Sequence, residues 1–272
     1  MNVLEFLSKQ EIKEIFDNKS IKTIEYLLKK VLFSQPELLP GQKEDNIQIP
    51  KEFLEQWVAQ GLGWERVGSG SYPIDVYSKE KKFGADVKFM SAAVDSEDNF
   101  KKGVTGESSL GQKFVDAGTD LDQDFASKEY DKILNGWKKI LSEKMQKPIK
   151  DYDLKQVYYF IFLRGGNSIH LAVAKVFPSK IKNLAVKSAT GKSVFVDGFI
   201  DASYGNVKIY KSKKRMELRC LPKKMKEDQL LISWDFKASL DDKGVNLRKI
   251  IVDELKFNKY VKKIIKKFFK TK

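Results

Sequence analysis

Residues 71–91 read SYPIDVYSKEKKFGADVKFMS, two strand-like runs on either side of a charged turn. From Pro73 to Ser78, apolar Ile74 and Val76 alternate with Asp75 and Tyr77, a pattern of β-branched and aromatic residues that suits a pleated strand. Lys79, Glu80, Lys81 and Lys82 form a charged turn. Phe83 to Met90 is then apolar enough to be mostly buried, yet carries Asp86 and Lys88 in its middle. Side chains two apart on a strand share a face, so Asp86 and Lys88 project together while Ala85, Val87 and Phe89 face the other way.

A buried carboxylate and ammonium are costly unless partnered. The hairpin brings Asp75 of the first strand beside them. Two carboxylates with a neighbouring lysine form a site for a hard divalent cation: Mg²⁺ prefers oxygen ligands and commonly takes one or two carboxylates together with water and substrate phosphate. Such an ion acidifies water and offsets charge on a phosphodiester, and Lys88 would orient the water or stabilise the developing charge. The alternative is a surface hairpin in which Asp86 and Lys88 make a weak cross-strand ion pair.

Pro73-x-Asp75 followed after a short hairpin by Asp86-x-Lys88 resembles the PD-(D/E)xK motif of the restriction-endonuclease-like nucleases. The resemblance extends upstream, where residues 53–59 (FLEQWVA) and 63–67 (GWERV) look like the helix and first strand that precede the motif in many members. Ile74 interrupts the PD dipeptide, as in many members, and Asp86 stands where glutamate is commoner. The resemblance covers residues 50–91. It implies an α/β fold with a mixed central sheet flanked by helices, Mg²⁺ (with Mn²⁺ as substitute) held by Asp75 and Asp86, Lys88 at the attacking water, and a helix glutamate, Glu55 or else Glu52, as helper. It further implies a type II restriction enzyme that cuts double-stranded DNA as a homodimer. The same motif fits a nuclease of repair or recombination.

The rest of the composition agrees with a polyanionic partner. Lys+Arg 51 against Asp+Glu 37 gives a formal net charge of +14 and a pI near 9.4, which favours nucleic acid first and anionic membrane second. Charge alone also fits a non-catalytic nucleic-acid-binding protein. With 272 residues, 42% hydrophobic and 12% aromatic, the chain can bury a sizeable core. A single cysteine, Cys220, excludes an intrachain disulfide and cysteine-cluster zinc sites, and the single histidine, His170, limits nucleophilic dyads to one position. No apolar run suits a signal peptide or a membrane span, so a cytoplasmic protein is expected.

Along the chain, residues 3–33 carry apolar residues at helical spacing and predict two amphipathic helices broken near Asp17–Ser20, with Ser20 as N-cap. Pro50 opens a helix that Gly61 and Gly63 end. Residues 96–119 read as a loop near the active site, in which 106–112 could touch phosphate. One helix is expected over 121–145, acidic at its start and lysine-rich at its end. Residues 157–163 (VYYFIFL) predict a central strand, with further strands at 169–176, where His170 reads as structural, and at 193–200, 207–210, 216–221 and 230–234. The chain ends in a basic helix over 247–269. It divides into a helical segment 1–49, a catalytic core 50–176 and a recognition part 177–272, within one domain. Lys211, Lys213, Lys214 and Arg215, interleaved with tyrosine and a hydroxyl, are the candidate DNA contacts.

Overall fold

Strand formation begins earlier than the helical spacing of the N-terminus suggests. In the computed structural model, which describes residues 2–31, 48–67, 72–103, 107–112, 120–236, 241–242, 245–246 and 254–268, Leu4–Phe6 is strand β1. The helix expected from residue 3 is therefore corrected: Lys9–Ile15 (α1) starts only after Ser8, whose hydroxyl accepts the Glu11 N–H while the Glu11 carboxylate accepts the Ser8 N–H. Asn18–Val31 (α2) follows, and Ser20 does not cap it. Instead Asp17 Oδ1 accepts the Ser20 N–H at 2.7 Å, so the longer carboxylate does the capping.

Lys51–Leu62 (α3) runs from the N-cap Pro50 to Gly63, whose left-handed φ of 66° ends it. Gly61 lies inside the helix rather than at its end; a Cβ there would come within 2.7 Å of Ile24 Cγ1, so glycine lets α2 and α3 close on each other. Glu65–Arg66 (β2), Val76–Ser78 (β3) and Phe83–Ala92 (β4) form the expected antiparallel run. The 106–112 loop is also corrected: Glu107–Gln112 is a strand, β5. The single helix expected at 121–145 is two, Leu121–Ala126 (α4) and Tyr130–Asp151 (α5). Gln156–Gly165 (β6) and Ser168–Val176 (β7) are long and almost wholly buried, as VYYFIFL foretold.

Ala185–Thr190 (β8), which has no apolar alternation to announce it, precedes Ser193–Asp197 (β9), Gly205–Tyr210 (β10) and Arg215–Cys220 (β11). Pro222–Glu227 (α6), Ile232–Asp235 (β12), Asp241–Asp242 (β13), Val245–Asn246 (β14) and Glu254–Phe268 (α7) complete the described elements. The sequence also suggests a polar loop from Pro36 to Pro50 and a flexible approach to Asp75 through Gly68–Gly70; most of that loop, the approach and the start of the C-terminal helix at 247 lie outside the described residues.

The main sheet is mixed, in the order β1-β7-β6-β4-β3-β2 with β12 on β7, and β4 and β6 are its parallel pair. A second, antiparallel sheet has the order β5-β11-β10-β9-β8. The sheets do not respect the expected boundaries at 49 and 176, since β1 and β12 join the main sheet while β5 joins the second. Two apolar clusters cover the main sheet's faces. Ala85, Val87, Tyr158 and Phe160 pack with Ile24, Leu54 and Val58 of α2 and α3. Tyr159, Ile161 and Leu163 pack in the other cluster with Trp137 and Leu141 of α5 and with Val207 and Leu218 of the second sheet. Burial of each Val, Leu, Ile or Phe side chain among them is worth roughly 1.5–3 kcal/mol.

Candidate active site

The site forms where β3 leaves β4. Pairing holds at Val76↔Ala85, and the Asp75 N–H still donates to Ala85 O. One step further the Val87 N–H meets no strand backbone; it donates to Asp75 Oδ2 at 2.6 Å. A side chain thus continues a ladder that the main chain has abandoned, and this seats the Asp75 carboxylate beside β4. Gly84 assists from the turn side: a Cβ there would lie 2.6 Å from Leu154 Cδ1 and 3.0 Å from Ile74 Cδ1, so its absence lets Ile74 bury next to Asp75.

The alternation read from β4 holds. Asp86 and Lys88 register against Tyr159 and Ile161, on the α5 side of the sheet, while Ala85 and Val87 face α2 and α3. Both charged residues are buried, Asp86 to 4% exposure and Lys88 to 8%, so the exposed-hairpin alternative does not describe them. Their ion pair, Lys88 Nζ to Asp86 Oδ1, measures 2.5 Å. Lys88 also lies 5.8 Å from the centre of the Tyr159 ring, which walls the site. The Tyr159 hydroxyl is held well above its ordinary range by burial and by the Asp86 charge.

Asp75 is the perturbed group. Burial, then the negative charge of Asp86, push its carboxyl up to about 7; the Val87 N–H opposes the shift, Glu55 adds to it, and Lys88 opposes it. Two carboxylates side by side in a poorly solvated place suit a divalent cation. Asp75 and Asp86 match the one or two carboxylates that Mg²⁺ usually takes, and oxygen donors match its hardness. A full three-carboxylate cage is not assembled: among the described residues no three carboxylate, imidazole or thiol side chains converge as a metal-holding group. Glu55, on α3, has 13% of its side chain exposed and lies 3.4 Å from Arg66, whereas Glu52 is exposed in the first turn. Of the two candidate helpers, Glu55 is the one whose charge acts on Asp75.

One site residue escaped the sequence reading. Lys144 of α5 ends 4.0 Å from Asp86 Oδ2 and donates to Leu110 O at 2.9 Å. The sequence shows only that position 144 shares the stripe of the buried α5 residues Trp137, Leu141, Met145 and Pro148, not what it reaches.

Lys211, Lys213, Lys214 and Arg215 lie on the β10–β11 hairpin, Lys211 half-buried and the other three exposed. Lys213 reaches 3.4 Å from Glu217, and Lys214 3.2 Å from Asp122. Lys208 lies over the rings of Phe195 and Tyr210, at 5.0 and 4.3 Å. These rings are covered by the chain's own cations. The remaining nucleophile candidates are structural. His170 Nδ1 shares a hydrogen bond of 2.8 Å with Ser233 Oγ, and burial followed by the Lys226 charge drives its imidazole down to about 4. Cys220 is fully buried and its thiol is pushed up to about 12 by burial, which leaves no thiolate at neutral pH.

No family model, curated protein or solved structure matches the chain. Among the described residues, no helix is long and apolar enough to cross a membrane.

Proposed function

We propose that the chain is a Mg²⁺-dependent endodeoxyribonuclease of the PD-(D/E)xK type, acting on double-stranded DNA as a site-specific type II restriction enzyme. The observation that carries this reading is the meeting of Asp75, Asp86 and Lys88 at the β3–β4 divergence, all three drawn from the sheet that bears the motif and all sharing one electrostatic field. A carboxyl perturbed as Asp75 is, next to a buried lysine, is more common at reactive sites than in plain packing.

A divalent cation bound there would acidify water and offset charge on the scissile phosphate. The chain's own residues do the remainder. Asp75 and Asp86 would hold the ion through their oxygens, with Asp75 ionised. Lys88 orients the attacking water and balances the charge that develops on the phosphate. Glu55 adds a smaller negative contribution at Asp75, and the hairpin cations Lys211, Lys213, Lys214 and Arg215 grip the duplex. A homodimer acting on both strands of a palindrome completes the reading.

The 2.5 Å Lys88–Asp86 pair favours one other reading, since a satisfied ion pair can be structural and a basic protein can bind DNA without cutting it. Incubating the purified protein with phage DNA and Mg²⁺ separates the two. Discrete bands with Mg²⁺ or Mn²⁺, and binding without cleavage in Ca²⁺, support the restriction enzyme. A smear points to a repair or recombination nuclease, and metal-independent binding with intact DNA to the non-catalytic protein.

A further inference from the structure

Lys144 stands where an apolar residue would be expected. It lies three residues after buried Leu141 and four before buried Pro148, on the helix face turned to the sheet. Its side chain keeps 25% exposure, against 6% for Asp86. The two oxygens of Asp86 are thereby flanked by different ammoniums, Oδ1 by Lys88 at 2.5 Å and Oδ2 by Lys144 at 4.0 Å. The two contacts differ in kind. At 2.5 Å the first is a hydrogen-bonded ion pair, while at 4.0 Å the second is a Coulombic contact, with the Lys144 hydrogen bond directed to Leu110 O instead.

With every carboxylate ionised, formal charges around the site balance before any metal arrives: Asp75, Asp86 and Glu55 oppose Lys88, Lys144 and Arg66. A divalent ion added to this balanced, poorly solvated cluster overloads it with positive charge. Two events restore balance, the retreat of one ammonium and the arrival of an anion. Lys144 is the ammonium that can retreat, because it is partly exposed and only loosely held to Asp86.

Resting on the nuclease reading above, the geometry points to Lys144 as an internal counter-cation that competes with the divalent ion for Asp86 Oδ2 and yields it when a nucleic-acid phosphate supplies negative charge. Metal binding and DNA binding then reinforce each other reciprocally. The free protein holds its metal weakly, and the assembled site forms on the substrate.

The test is a Mn²⁺ titration by calorimetry of the full-length, DNA-free protein and of its Lys144→Met, Lys144→Gln and Asp86→Asn variants, with circular dichroism as the fold control. Both Lys144 variants are expected to bind Mn²⁺ about tenfold tighter than wild type, roughly 1.4 kcal/mol, and Asp86→Asn to lose the site. A short duplex should tighten Mn²⁺ binding of wild type more than that of either Lys144 variant. General damage to the fold weakens metal binding, so a gain in affinity is not a structural artefact. Unchanged or weaker Mn²⁺ affinity in both Lys144 variants, with wild type still binding, overturns the role of Lys144 and leaves the nuclease reading standing. Absence of Mn²⁺ uptake by every form, with the duplex as well as without it, overturns both.

Discussion

The backbone N–H of Val87 donates to Oδ2 of Asp75 across 2.6 Å, closing the gap that opens where β3 leaves β4. That bond favours the ionised carboxyl, yet burial and the Asp86 charge outweigh it and hold Asp75 near 7. The consequence can be measured without any substrate. Because the folded value lies above the unfolded one, the folded state binds the extra proton between about pH 4 and 7, and stability falls as pH rises through that window. Above it the ionised Asp75 costs the fold on the order of 2 kcal/mol after allowance for its partial exposure. Asp75→Asn should therefore raise the stability of the metal-free protein by about that amount near pH 8, and have little effect near pH 4. Urea unfolding at the two pH values gives the answer, and a destabilised variant at the higher pH contradicts it.

Asp86 and Lys88 should fail together as catalysts but differ as structural elements. Either Lys88→Ala or Asp86→Asn is expected to lower cleavage by orders of magnitude, since residues that act as a unit give large, non-additive losses. Truncating one member of a buried pair costs about 3–5 kcal/mol when the other charge is left alone. Lys144 remains near Asp86, so Lys88→Ala should fall at or below the lower end of that range. Cleavage rates and urea midpoints of the two single variants and the double variant decide this; near-wild-type cleavage by folded Lys88→Ala removes the catalytic assignment.

The parts of the fold legible in the sequence were those dictated by local pattern. Alternation along Phe83–Ala92 gave the two faces of β4, and the apolar run of β6 gave a strand buried on both sides. What escaped was set by distant partners. Leu4–Phe6 has too few residues to show a period and becomes a strand because β7 offers an edge, pairing Leu4 with Val176. Glu107–Gln112, with two serines and a glycine in place of an apolar alternation, is a strand because β11 pairs with it. Within the site, the approach of Asp75 to Asp86 and Lys88 was readable because one short hairpin joins them. Lys144 was not, because its approach to Asp86 depends on how α5 is phased against a sheet that closes around it.

His170 supplies a second pH lever of opposite sign. Its imidazole, lowered to about 4 by burial and by Lys226, stays neutral in the folded protein while the unfolded chain protonates near 6.5. Stability from this group is complete above the unfolded value and declines as pH falls toward 4. Between pH 7.5 and 5 wild type should lose about 2 kcal/mol more than His170→Gln, which keeps a polar partner for Ser233 but cannot charge. Asp75 tilts the curve the other way over part of this range, so the difference between the two proteins, not the wild-type slope, is the quantity to measure. Parallel curves would mean that His170 is not held neutral.

The hairpin cations divide by what the chain already does with them. Lys213 lies 4.7 Å from the centre of the Tyr210 ring and 3.4 Å from Glu217, whose carboxylate is buried to 3% exposure. A lysine held in this way presents a fixed positive charge, which suits a phosphate. Arg215 opens β11 exposed to solvent, opposite Tyr210, and a guanidinium is the group best matched to the two acceptors on a guanine edge. Loss of one such base contact costs roughly 1–3 kcal/mol of discrimination, whereas loss of a phosphate contact weakens all sequences alike and lowers the salt slope by about 1. Arg215→Ala should therefore reduce cognate cleavage by about tenfold to a hundredfold while changing binding to random duplex far less. Lys213→Ala should weaken cognate and random binding together and flatten the dependence of log K on log salt. Binding titrations at several salt concentrations, run beside cleavage of cognate DNA, separate the two residues. Equal losses on cognate and random DNA for Arg215→Ala would move that residue from base readout to backbone positioning.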